Sequence, residues 1–382
     1  MLRSLLFAAF LSLQSLAAPA FAQDTLAPAS TRYAHPDLLA QVFVGGNYRA
    51  TWGRPATLRI FRLDTSMGGF TVKKLGGGMQ TKSLRIEDKA GEKYVLRTVD
   101  KTVDKAMEAE GIHSTIAQHV SQDMISAADP YAAVIVPPMA RALGLANVDA
   151  RLVFVADDAA LGEYRPLFAN TVCLLERQNP VLYEGDETEN TKKLVERLKE
   201  SPDKYRLDEK MLLQARLLDM LIGDWDRHSD QWKWEFHKEA NGLTTILPVP
   251  HDHDQALFNS NGLLIKLVRP FALKHMVALN GRNLHLVRLN KKEWSFDKVL
   301  MGHLSAQDWR DGIAGFQGRL TNEVITEGVR QLPPEVLATR GDALIALLER
   351  RRDAMGEQVM AYYRYLQGFE AGSPLRRHGT DD

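Results

Sequence analysis

Leu221-Ile222-Gly223-Asp224-Trp225-Asp226-Arg227-His228 is the stretch on which the reading of this chain turns. An apolar run ends at a glycine and opens into a loop carrying Asp224, Asp226, Arg227 and His228. Trp232, Trp234 and Phe236 then alternate with Lys233 and Glu235, the pattern of a half-buried strand. Asn241-Gly242 is a hairpin turn signal, and 243–249 reads as the return strand. A second acidic loop, His251-Asp252-His253-Asp254, leaves the end of that strand. Two carboxylate loops at the open ends of one hairpin can converge on a single point. Convergent carboxylates hold a divalent cation, or divide into a base and a metal ligand. Either loop alone reads equally well as a solvated capping turn. Their pairing across one hairpin argues against that.

Upstream, the spacing predicts a helix over 208–222. Leu207, Met211, Ala215, Leu218 and Ile222 make one apolar stripe, with Asp208 as N-cap and Gly223 as the C-terminal stop. The Asp226 loop is therefore expected to hang from a buried helix. Earlier still, 70–75, 81–86 and 94–99 read as a three-stranded antiparallel meander, with Gly76-Gly77-Gly78 in its first turn. Met107, Ile112, Ile116 and Val120 predict a single helix over 103–125. Strands at 150–155 and 170–175 follow, then a linker at 176–180, a polar loop at 186–190 and a mainly helical remainder. Residues 23 to about 55 read as an extended lead-in segment.

Bulk properties bound the function. The chain has 382 residues, 45% of them hydrophobic, enough for a large core and two lobes. Its 48 basic and 48 acidic residues balance, so there is no electrostatic case for general nucleic-acid binding. Met1-Leu2-Arg3, the apolar run 5–16 and Ala20-Phe21-Ala22 read as a secretory signal cleaved before Gln23. The run is too short for a membrane anchor, and no cysteine follows the cleavage site to take a lipid. The mature chain is thus expected in a periplasm or secreted, with no membrane span. The single cysteine, Cys173, excludes an intramolecular disulfide and reads as a small buried hydrophobe.

The order helix, Asp226 loop, hairpin, acidic loop is the order in which a protein-kinase C-lobe presents its base and its magnesium ligand. Asp226-Arg227-His228 with the downstream acidic loop resembles the phosphatidylinositol-kinase, HipA-like and Golgi casein kinase branches of the protein-kinase-like fold. The longer strings resemble a bacterial exported group of that superfamily: 76–83, 221–234 and 250–255. The resemblance implies an α+β, two-lobed kinase-like fold with a small β-rich N-lobe and a larger, mainly helical C-lobe. The expected division is a signal peptide over 1–22, a lead-in and N-lobe over 23–175, a C-lobe over 176–371 and a frayed tail over 372–382.

The resemblance also implies roles. Asp226 would be the base that orients or accepts the proton of the acceptor hydroxyl, with Arg227 and His228 bracing its loop. Asp252 would hold a magnesium or manganese ion bridging the phosphates of ATP or another nucleotide, with Asp254 as a second ligand. Gln231 stands where related kinases place an Asn or acidic metal ligand. Gly76, Gly77 and Gly78 would cover the phosphates, and Glu176 would line the base pocket. The chain departs from the pattern at Arg97, where a phosphate-binding Lys is expected; Lys82 or Lys101 could substitute. The helical partner acid is Glu108 or Glu110.

These readings give an exported, kinase-like, Mg-dependent transferase acting from a nucleotide on a protein, glycan or other envelope hydroxyl. Nucleotidyl rather than phosphoryl transfer is open on such a fold. The alternatives are a catalytically silent pseudokinase in an envelope assembly, favoured by Arg97 and Gln231, and a metal-dependent hydrolase using His251, Asp252, His253 and Asp254. Histidine ligands would point that hydrolase to zinc or manganese.

Overall fold

The computed structural model describes residues 24–35, 38–77, 80–109, 111, 113–269 and 274–368. The expected signal segment, its cleavage site, Gly78, Glu110 and the tail from 372 lie outside these residues.

The meander forms where the alternation predicts it. Strands β3 (Phe70–Gly76), β4 (Ser83–Asp88) and β5 (Lys93–Thr98) pair antiparallel in sequence order. They are one flank of a seven-stranded sheet. The other members are β1 (Asp24–Ala27), β2 (Ala56–Phe61), β6 (Arg151–Val155) and β7 (Thr171–Arg177). The order is β1-β2-β6-β7-β5-β4-β3, antiparallel except for the parallel β2–β6 pair.

The extended lead-in is a correction. It supplies edge strand β1, then helices Leu38–Phe43 and Arg49–Gly53. Tyr33, Val44 and Trp52 tie it into the core, and Trp52 Nε1 donates to the Ala128 carbonyl at 3.0 Å. The single helix expected over 103–125 is also corrected. It is two helices, Asp104–Ala109 and Thr115–Met124, the second passing into a single tight turn over Ile125–Ala127. Gly111 between them sits at φ +70, in the left-handed region, and Ser114 caps the restart by accepting from Ala117 N.

The Glu209–Ile222 helix starts and stops as its sequence dictates. The Asp208 carboxylate accepts from Met211 N at 2.8 Å, and Gly223 takes the left-handed cap at φ +68. It is not a one-sided stripe, however. Every residue from Leu212 to Ile222 is buried, Arg216 and Asp219 included. Arg216 donates to Asp219 (2.7 Å), Asp297 (2.8 Å) and Asn290 (2.7 Å), and Tyr362 on the long Pro334–Gln367 helix donates to Asp297 at 2.7 Å. An ionic seam thus runs through the apolar core beneath the Asp226 loop.

The hairpin is β10 (Trp232–Lys238) with β11 (Thr244–Pro250), Trp232 opposite Pro250. Short strands β8 (Thr188–Asn190) and β9 (Tyr205–Leu207) flank it, giving the order β8-β10-β11-β9. The polar loop expected at 186–190 therefore ends in a strand. The expected outward face of β10 is corrected at Glu235, which is fully buried. Its carboxylate accepts the N–H groups of Leu182 (2.7 Å) and Tyr183 (2.8 Å), pinning the segment after β7 to the hairpin. Cys173 is buried, and burial pushes its thiol up to about 12. Among the described residues, no helix is long and apolar enough to cross a membrane.

Candidate functional site

Below Gly223 the loop is held by one side chain. Arg227, 1% exposed, donates to both carboxylate oxygens of Asp219 (2.9 and 3.0 Å) and lies 3.5 Å from Asp224 Oδ2. The same guanidinium donates to the carbonyls of Gln231 (3.3 Å) and His251. Arg227 therefore joins the helix, the Asp226 loop and the start of the second acidic loop. Arginine suits this joint because its planar fork offers several donors in fixed directions. His228 caps the short turn Ser229–Gln231, accepting from Asp230 N at 3.4 Å.

The charges in this joint divide unequally. Burial pushes Asp219 up, but Arg227, His253 and Arg216 outweigh it and hold the carboxylate well below its usual range. Asp224 is pushed up to about 8 by burial; Arg227 opposes this, while Asp219 and Asp226 add to it. Asp224 Oδ1 accepts from Asp226 N at 3.2 Å, which fixes the loop's exit.

The second loop grows out of the hairpin. His251 N donates to the Gln231 carbonyl at 2.9 Å, extending the β10–β11 pairing by one rung. Asp252 follows at φ +55, a left-handed position that Asp tolerates better than most residues. Leu257 N then donates to the Ile222 carbonyl at 2.7 Å, returning the loop to the helix end. Both histidines are neutral near pH 7. Burial, with Arg97 next, lowers His251 to about 3, and burial with Arg227 lowers His253. His253 Nε2 faces Asp219 at 3.5 Å.

The carboxylates of this loop meet the first sheet. Arg97 on β5 donates to Asp252 Oδ2 at 2.9 Å and to Glu176 Oε2 on β7 at 3.3 Å. Lys101 donates to Asp254 Oδ2 at 2.6 Å. Burial raises Asp254, and the neighbouring Asp252 charge raises it further. Burial also raises Asp252, but Arg97 and then Lys101 reverse this and hold it low. Glu176 is raised, by burial first, against the pull of Arg97.

Asp226 lies on a cleft of about 740 Å³ between the sheet side and the helical side. Gln80, Lys101, Met124, Trp225, Phe258 and Lys292 are among its walls. Lys292 donates to Asp226 Oδ1 at 2.8 Å and stands 4.7 Å above the Trp225 ring. The half-buried Asp226 carboxylate thus meets solvent with one cation beside it.

Placed against the expectations, Asp252, Asp254, Arg97, Glu176 and Lys101 come together, and Lys101 shares its cleft with Asp226. Gly77, at φ +131, makes a turn where a Cβ would come within 2.6 Å of the Thr81 carbonyl oxygen. That turn folds onto the segment after β5, since Thr102 N donates to the Gln80 carbonyl at 3.0 Å. Gln80, rather than Gly76 or Gly77, reaches the cleft wall. Lys82 faces a separate cavity of about 380 Å³ with Thr98 and Arg32. Glu108 is exposed, so the acid paired with Arg97 comes from β7 and not from the helix. Gln231 is buried with its amide oxygen 3.5 Å from Arg227.

Sequence reasoning missed Asp219, Arg216, Asp297 and Lys292. Arg216 and Asp219, three residues apart inside an otherwise apolar helix, were the visible signal. Among the described residues, no group of three or more His, Cys, Asp and Glu side chains is placed to hold a metal ion. The donor chemistry of Asp252 and Asp254 nevertheless suits a hard dication, since two neighbouring half-buried carboxylates repel one another.

No family model matches the sequence, and no curated protein matches it. Among solved structures, the chain is similar to CtkA, a proinflammatory kinase of Helicobacter pylori. Identity is 12%, over 76% of this chain and 96% of that one, with a TM-score of 0.41. It is also similar to the toxin–antitoxin protein HipA of Shewanella oneidensis MR-1, solved with HipB and operator DNA. There identity is 12%, over 78% of this chain and 67% of that one, with a TM-score of 0.39.

Proposed function

We propose that this chain is a kinase-like transferase that moves a phosphoryl group from a nucleotide to a hydroxyl, with Asp226 as the base. The observation that carries the reading is the Arg227 joint. One buried guanidinium grips the loop of Asp226 and the backbone of His251, one residue before Asp252. A base loop and a metal loop held at a fixed offset are what phosphoryl transfer requires, because its catalysis is mostly positioning and charge neutralisation. Asp226, half-buried at the cleft wall, would orient an acceptor hydroxyl and take its proton. Lys292, donating at 2.8 Å, fixes one of its oxygens. Asp252 and Asp254 would hold a magnesium or manganese ion, which when bound supplies charge neutralisation for the phosphates. Export to the periplasm or beyond, and an envelope protein or glycan as acceptor, belong to the same proposal.

A specific observation favours a second reading. Asp252 and Asp254 already carry protein cations, Arg97 and Lys101. A chain that answers its metal-binding carboxylates internally can bind a ligand and transfer nothing, as a pseudokinase does. The hydrolase reading is weaker, because His253 Nε2 faces the Asp219 carboxylate at 3.5 Å.

The deciding experiment is thermal denaturation against nucleotides with magnesium or manganese, followed by transfer of labelled phosphate. Saturation at a hundredfold excess over Kd stabilises the folded chain by about 2.7 kcal/mol. A shift with transfer supports the transferase and a shift without it the pseudokinase. No shift with any nucleotide sinks both.

A further inference from the structure

Two helices far apart in sequence carry apolar side chains that the core does not take. On Leu38–Phe43, Leu38 is 74% exposed and Val42, four residues on, 48%. On Leu263–Val268, Leu263 is 48% exposed and Leu267, again four residues on, 62%. Side chains four apart on a helix share a face. The helices pack against each other, and the residues beside them approach closely: a Cβ on Gly262 would come within 2.2 Å of the Val44 backbone. The two exposed pairs therefore sit on adjoining helices. Leu264 and Ile265, on the same short helix as the second pair, line the cleft that holds Asp226 and Lys292, so that pair borders the cleft mouth.

Charge identifies what covers it. The chain as a whole balances 48 basic against 48 acidic residues. From Gln255 to Lys292, however, the sequence holds seven Lys and Arg and no Asp or Glu. One of them, Lys266, is exposed between Leu263 and Leu267. Outward aliphatic side chains set around an exposed lysine, in a stretch of chain without acidic residues, match the boundary of an anionic bilayer. Leucines enter the acyl region while lysines and arginines meet headgroup phosphates. A polynucleotide would use the cations but leave the leucines in water, since it is bound through phosphates and aromatic stacking. A partner protein would need an apolar groove fringed with acidic side chains to use both features.

We propose that this face docks the protein on anionic phospholipid membranes, setting the cleft mouth against the bilayer. The proposal does not depend on the transferase reading.

The test uses the full chain and vesicles of phosphatidylcholine with or without phosphatidylglycerol. Cys173 is buried, so an environment-sensitive dye on a Leu267→Cys variant reports this face alone and is blind to the apolar run at 5–16. The expected result is a blue shift with phosphatidylglycerol vesicles, absent with phosphatidylcholine alone and reduced by salt. Adding Leu263→Ser and Lys266→Glu should weaken binding about tenfold or more. Both positions are exposed, and an unchanged melting temperature verifies folding. No dye response to phosphatidylglycerol, or equal affinity in the substituted protein, overturns the proposal. A response to a polynucleotide or an acidic polypeptide but not to vesicles overturns it in favour of that partner.

Discussion

Arg97 donates to Asp252 at 2.9 Å, so the carboxylate suited to a metal is held by a cation from the first sheet. The same guanidinium serves Glu176, and Lys101 serves Asp254. Five charged groups from β5, β7, the segment after β5 and the second acidic loop therefore answer one another where the first sheet meets that loop. A dication entering this cluster must compete with Arg97 and Lys101.

That competition predicts the behaviour of Arg97→Gln. The variant leaves Glu176 and Asp252 without their cation and should lose about 3 kcal/mol in the absence of metal, because the buried Glu176 and the half-buried Asp252 are left unpaired. Added magnesium or manganese should restore a larger share of stability than it adds to the wild type. Melting temperatures measured with chelator and across a metal titration decide it. A metal response no larger than that of the wild type would show that Arg97 does not occupy the cation's place.

The Arg227 joint predicts a large cost for a substitution that keeps the charge. Arg227→Lys retains one cation but cannot reach Asp219, Gln231 and the His251 carbonyl at once. Urea denaturation should show a loss of about 2–4 kcal/mol, since buried partners lose their donors. Wild-type stability in this variant would mean that the fork does not hold the two loops together.

Asp219 and Asp224 share Arg227 yet should respond oppositely to neutralisation. Asp219→Asn leaves Arg216 and Arg227 facing an amide and should cost about 3–5 kcal/mol at neutral pH. Asp224 is pushed up to about 8 in the folded chain, against about 4 for an unfolded aspartate. The folded state therefore keeps a proton that the unfolded state has released. Stability from this group is full below pH 4 and falls as pH rises to 8. Relative to the wild type, Asp224→Asn should gain stability steadily across that window and level off above it. A flat difference between pH 4 and 8 refutes the raised value.

These predictions turn on residues of unequal legibility in the sequence. Asp208 and Gly223 marked the ends of the helix because a cap and a left-handed stop are local chemistry. The meander strands and the hairpin were legible for the same reason: alternation and turn residues act over a few positions. The break at Gly111 was missed because Met107 and Val120 keep a helical rhythm on both sides of it. Glu235 read as solvent-facing, and its burial depends on Leu182 and Tyr183 arriving from far away in sequence. Lys292 could not be assigned to Asp226 at all, since 66 residues separate them and nothing local links a lysine to a distant carboxylate. The candidate site was legible as two loops, but not as a set of ion pairs.

The division of labour between the two loops is the sharpest test of the transferase reading. Asp226 lies at the cleft wall with Lys292 and contacts none of the cluster around Asp252, so Asp226→Ala should abolish turnover and leave the metal–nucleotide melting shift largely intact. Asp252→Ala should lose turnover and most of that shift, because one of the two hard-cation donors is gone. It also releases Arg97 from its 2.9 Å partner, so nucleotide binding without metal should tighten as the guanidinium turns to phosphate. Gln231→Ala should alter the metal response least of the three, because its amide oxygen is directed at Arg227. Transfer assays with melting shifts, run with and without metal, separate these outcomes. Equal loss of the metal–nucleotide shift in the Asp226 and Asp252 variants would merge the two roles and leave the loops as one binding site without a distinct base.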